Sequence, residues 1–135
     1  PAQHPPPPIW VGGNSRAAMR RAVLYGQGWS PMPSPKAAAS VLGTPGIESV
    51  GELGARIAML HEIAAAEGRT DRLDVAVIPP SLSGFAHGAS ISDPDVLEEI
   101  VALRSVGATA LVVSLPDDSW DDRIEWLANK VLAKI

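Results

Sequence analysis

The sequence predicts an α/β fold built on a parallel sheet. Two observations carry this. Short apolar strand segments alternate with helical segments four times over the 135 residues. The last strand core, Ala110-Leu111-Val112-Val113, is a continuous apolar run of the kind expected when a parallel strand is covered on both faces. Strict alternation implies right-handed βαβ units. Four such units suit an open doubly wound sheet, or equally one half of an eight-unit barrel, which would leave two unpaired strand edges.

Composition narrows the class. With 46% hydrophobic and 19% charged residues, the chain has a globular rather than a disordered make-up. The net charge of −4 comes with no dense basic run, which argues against a nucleic-acid partner. The absence of cysteine excludes disulfides, zinc–thiolate sites, iron–sulfur clusters and thiol nucleophiles. No apolar run reaches membrane-spanning length and no signal-peptide pattern opens the chain, so a cytoplasmic protein with no membrane partner is expected. Residues 1–8 are proline-rich and read as a stiff connector from the interior of a longer polypeptide, leaving residues 9–135 as the domain.

In chain order, Ile9–Gly12 is the first strand. Residues 15–25 form a helix with Ala18, Met19, Ala22 and Val23 on one face, ended by Gly26 as a left-handed cap. Gly28-Trp29-Ser30 is a very short strand. Pro31–Glu48, with its prolines and glycines, reads as a long loop carrying one helical turn, a length that often signals function. Ser49 and Glu52 form a capping box for a helix with the stripe Val50, Leu53, Ile57, Leu60 and Ala64, stopped by Gly68. Leu73–Ile78 is the next strand and Ser81–Ser92 a loop. The third helix is capped by Ser92 or Asp93 and packs Val96, Leu97, Ile100, Val101 and Leu103. After Gly107, Ala108–Leu115 is the fourth strand. Ser119 caps the last helix, whose inner stripe is Trp120, Ile124, Leu127, Val131 and Ile135.

The segment of greatest interest is Gly12-Gly13-Asn14-Ser15, between the first strand and the first helix. Two glycines permit a sharp turn and close approach of a ligand to the backbone. Asn14 and Ser15 are both good helix caps. Unpaired N–H groups and the positive end of a helix make such a turn a place for a phosphate. An ordinary strand-to-helix turn uses the same residues, so spacing alone serves both readings.

The run Pro6-Pro7-Pro8-Ile9-Trp10-Val11-Gly12-Gly13-Asn14-Ser15, then Ala17-Ala18, Arg20-Arg21-Ala22 and Gly26-Gln27-Gly28-Trp29, resembles the bacterial luciferase-like monooxygenases. It is most similar to their coenzyme F420-dependent oxidoreductase branch. Gln27 stands where that family usually has Asp, and Gly107–Val113 looks like its final barrel strand. The resemblance implies the C-terminal half of a TIM-like (β/α)8 barrel. It implies a parent oxidoreductase using F420 or FMN on a small-molecule substrate. It places the cofactor phosphate at Gly12, Gly13, Asn14 and Ser15, with Trp29 at the same barrel mouth as pocket lining or core. It also implies a partner, either the N-terminal half-barrel or a second copy of the chain, and leaves this segment inactive alone.

No acid–base constellation stands out. Trp10 is expected in the core, Trp120 and Trp126 against their helix, and His61 on the surface. His87 and the Asp117-Asp118 pair occupy loops after strands, where a turn and cap explain the acids as readily as a ligand does. Hydride chemistry belongs to a cofactor, so an oxidoreductase does not require such residues here. The competing expectations are a non-catalytic half-barrel assembly module and a separate flavodoxin-like FMN domain.

Overall fold

The computed structural model describes residues 3–79, 93–113 and 120–134. Ser81–Ser92 with His87, and the turn 114–119 with Asp117, Asp118 and the Ser119 cap, lie outside the described residues. Among the described residues four strands, β1 (Trp10–Gly12), β2 (Gly28–Ser30), β3 (Asp74–Val77) and β4 (Ala110–Leu111), form one sheet in the order β1-β2-β3-β4, all pairs parallel. The α/β fold with a parallel sheet is thus as expected. A flavodoxin-like sheet places its first strand between the second and third. Here β2 lies between β1 and β3, which removes that alternative.

The helices are α1 (Arg16–Tyr25), a short α2 (Ala39–Leu42) preceded by a 3-10 turn at Lys36–Ala38, α3 (Val50–Ala66), α4 (Asp93–Ser105) and α5 (Trp120–Trp126). The chain continues from α5 through a π-helical turn, Leu127–Val131. In α1 the buried residues are Ala18, Met19, Ala22 and Val23, the face read from the sequence. In α3 they are Leu53, Ile57, Leu60 and Ile63; Ile63 takes the last buried place, and the expected Ala64 is half-buried.

These helix faces join Trp29, Val75 and Val77 from the strands in one core, with Val11 and Leu111 packed against it. Side chains alternate along a strand. Trp10, Gly28 and Asp74 share one register row and so face away from that core. A methyl group on Gly28 would come within 2.5 Å of Trp10 Cδ1, so the absent side chain makes room for the indole.

Several local expectations change. Trp10 is 41% exposed rather than in the core, because its strand position is the one turned from the helices. Gly26 ends α1 without a left-handed turn, at φ −105°, and a Cβ there would press on the carbonyl oxygens of Ile9 at 3.0 Å and Ala22 at 3.1 Å. Gly68 and Gly107 do take positive φ, 71° and 108°, where their helices stop. Val101 on α4 is exposed. β4 spans two residues and is only half-buried, so the apolar run there is not a strand covered on both faces. It borders a single neighbour, β3, among the described strands. Ile124, read as part of the last helix's inner stripe, is 46% exposed; Val131 is fully buried against Val96 and Ile100, with Trp126 packed beside them.

One arginine ties the base of the fold. Arg69 Nη1 donates to the carbonyls of Ala22, Val23 and Gly26 at 3.3, 2.8 and 2.6 Å, satisfying the end of α1. Its Nη2 pairs with Asp71 at 2.6 Å. A guanidinium has donors enough for this fork; an ammonium lacks its planar geometry.

Candidate functional site

β1 ends at Gly12, and the chain turns into α1 through Gly13-Asn14-Ser15 at the carboxyl end of the sheet. Functional residues of parallel α/β folds gather at that end. Gly13 has φ +105°, a conformation L side chains rarely adopt, and a Cβ there would lie 3.3 Å from Ala18 Cβ. Its N–H continues the parallel ladder to Ser30 O at 3.3 Å. Gly12 is exposed. Ser15 is the N-cap of α1, its Oγ accepting from Ala18 N at 3.2 Å. The N–H groups of Ser15, Arg16 and Ala17 meet no acceptor among the described residues. They are the donors this turn has to offer. Arg16 is exposed beside them.

Asn14 plays another part. It is fully buried, and its side chain reaches away from the helix start into the 31–48 segment. Nδ2 donates to Met32 O and Pro45 O, both at 2.7 Å, and Oδ1 accepts from Met32 N at 2.8 Å. Two carbonyls and one N–H fix which end of the amide is which. The Asn14 N–H donates to Thr44 Oγ1 at 2.9 Å. Its polar groups therefore hold protein atoms where the sequence reading had them reaching a phosphate. Trp29 is also fully buried, and its indole N–H donates to Gly13 O at 2.7 Å. It supports the turn from behind, as core, and does not line an open surface. Sequence spacing could not show this, since Asn14 makes its contacts 18 and 31 residues away.

The 31–48 segment folds back on itself. Ser34 and Ile47 exchange backbone hydrogen bonds at 3.1 and 2.9 Å. Lys36 N donates to Glu48 Oε1 at 2.8 Å. Gly46 passes so close that a Cβ would sit 2.7 Å from Lys36 N and 2.8 Å from Ser34 O, backbone atoms that cannot swing aside. Ser49 caps α3 by accepting from Glu52 N at 3.2 Å. Glu52 accepts in turn from Glu48 N at 2.8 Å, so the capping box closes one residue earlier than its usual pattern.

Lys36 Nζ also pairs with Glu52. The hydrogen bond from Lys36 holds the Glu52 carboxyl below its ordinary range, and the same pair raises the Lys36 ammonium. The Arg69 guanidinium likewise lowers Asp71. His61 is exposed on α3. Among the described residues no cluster of His, Asp and Glu has the arrangement of a metal site, and no helix is long and apolar enough to cross a membrane.

No family model matches this chain, and no curated protein matches it.

Two outcomes test this geometry. Asn14→Ala should cost about 3 kcal/mol in urea unfolding, because it strands a buried N–H and two carbonyls. Asn14→Asp should cost as much despite its equal size, since it turns a carboxylate on the same carbonyls, and both variants should speed proteolysis within residues 31–48. Stability should also fall with acid. Glu52 and Asp71 are lowered in the fold, so their contribution is complete at neutral pH and is lost as pH falls from the ordinary carboxylate range to below it. Glu52→Gln should flatten that acid limb of the urea midpoint against pH.

Proposed function

We propose that this chain is the C-terminal half of the TIM-like barrel of a luciferase-like, coenzyme F420-dependent oxidoreductase or monooxygenase, and that it holds the phosphate end of the cofactor. FMN is the alternative cofactor. One observation carries the reading furthest. The turn after β1 stands at the carboxyl end of a parallel sheet in sequential order and opens a ten-residue helix whose first amides have no protein acceptor among the described residues. A barrel segment has that strand order, and the turn lies within the run from Pro6 to Ser15 that carries part of the resemblance to the family.

The residues present fit a phosphate in a particular way. Gly12 and Gly13 leave the approach clear of side chains, and a Cβ on Gly13 would crowd Ala18. The amides of Ser15, Arg16 and Ala17 point along α1, whose dipole favours an anion, and Arg16 adds charge. Asn14 and Trp29 hold this turn in place from within. When bound, the cofactor supplies hydride transfer; the residues of this chain bind and orient its phosphate end. The acid–base groups belong to the N-terminal half, and this segment alone is inactive.

A second reading, a non-catalytic half-barrel assembly module, draws on the edges of the sheet. Among the described strands β1 lies at an edge, with Ile9, Trp10 and Tyr25 exposed about it. Unpaired parallel edges favour association. Under both readings the partner is the N-terminal half-barrel or a second copy.

Fluorescence titration of the parent protein with F420 and with FMN tests the cofactor. Gly13→Asp and Arg16→Glu should each weaken binding at least tenfold; the second places an acid in the first helical turn, where it favours the helix, so lost binding cannot be blamed on unfolding. A parent protein binding neither cofactor sinks the first reading and leaves the assembly module. For the partner, light scattering of this chain at high concentration should report a dimer or larger species; a monodisperse monomer counts against self-pairing.

A further inference from the structure

A cavity of about 500 Å³ opens beside the 31–48 segment, walled by Met32, Pro33, Pro35, Ile47 and Glu48 and reaching Ile78 after β3. A second, of about 290 Å³, lies against it and shares Pro33, Ile47 and Glu48 before running inward to Val77 and Leu53. Together they fall within the size range of small-molecule sites.

The wall has an unusual hydrogen-bonding character. Prolines at 31, 33 and 35 have no N–H to give. The N–H groups between them are all engaged: Met32 by Asn14 Oδ1, Ser34 by Ile47 O, and Lys36 by Glu48 Oε1. From residue 31 to 36 the backbone therefore presents no free donor. The charged group at the opening is the Glu48 carboxylate, with Lys36 turned to Glu48 and Glu52. The free donor in the wall is the Ser34 hydroxyl, buried with no partner among the described residues, which suits a neutral polar group, while the Glu48 carboxylate disfavours an anion, in contrast to the amides at the start of α1.

The wall is also held open in advance. The Asn14 contacts, the Ser34–Ile47 bridge and the close pass of Gly46 against the Lys36 backbone fix its shape, and the prolines stiffen it. A preformed apolar cleft loses little entropy on filling.

We propose that this cleft is a binding site for an uncharged, largely apolar small molecule of one or two fused rings, seated between the proline wall and Ile47. It deepens the reading above, on which the occupant is the apolar body of the substrate, but the binding itself does not require a cofactor. Methyl-labelled full chain titrated with 2-naphthol, against the anion 2-naphthalenesulfonate, tests it. Naphthol should shift the Ile47 and Ile78 methyl resonances saturably, and the sulfonate should bind at least tenfold more weakly. Met32→Glu changes a half-exposed side chain at the opening, so the fold survives, and should raise the naphthol Kd at least tenfold. Glu48→Gln keeps the acceptor for Lys36 N and should bring the sulfonate closer to naphthol. Unshifted Ile47 and Ile78 methyls, equal binding of the two probes, or an unchanged Kd in Met32→Glu overturns the proposal. Naphthol binding without F420 or FMN binding leaves the cleft standing and removes the cofactor reading; the reverse removes the cleft alone.

Discussion

The carboxyl end of this protein depends on one buried amide. Asn14 joins the β1–α1 turn to both ends of the 31–48 segment, at Met32 and Pro45, through its side chain, and to Thr44 through its backbone. A buried amide that must satisfy two carbonyls and one N–H has a single arrangement that avoids stranded polar groups. That demand couples the turn, the segment and the start of α3 into one rigid corner. Trp29 completes it from the core side by holding the Gly13 carbonyl.

The coupling creates two surfaces of opposite character on the same end of the sheet. At the start of α1, amides without acceptors and an exposed arginine favour negative charge. Beside the 31–48 segment, prolines and engaged amides leave no free backbone N–H from residue 31 to 36, and Glu48 makes the opening acidic. One ligand with a phosphate tail and another with an apolar body would be sorted between these surfaces by hydrogen-bonding capacity alone. The distinction follows from where proline falls in the chain and from which amides the fold uses internally.

Stability comes from elsewhere. Met19, Leu60, Val75, Val77 and Trp29 fill the layer between helices and sheet. Arg69 closes the end of α1 from a loop 43 residues past Gly26. The surface ion pair of Lys36 with Glu52 adds little by itself, as exposed pairs do. Its use is to hold the 31–48 segment against the start of α3.

The sequence by itself determined the alternation of elements, the buried faces of α1 and α3 and the helix stop at Gly68, because these follow from local periodicity and backbone freedom. It also located the turn at Gly12–Ser15 and the helical turn within residues 31–48. Tertiary structure decided the rest. Strand order, which separates this sheet from a flavodoxin-like one, is a matter of non-local pairing. Whether Trp10 is buried depends on which face of β1 the helices cover. The fate of Asn14 turned on partners far along the chain: as a cap residue it reads as a ligand donor, and only the folded 31–48 segment brings the carbonyls of Met32 and Pro45 within its reach.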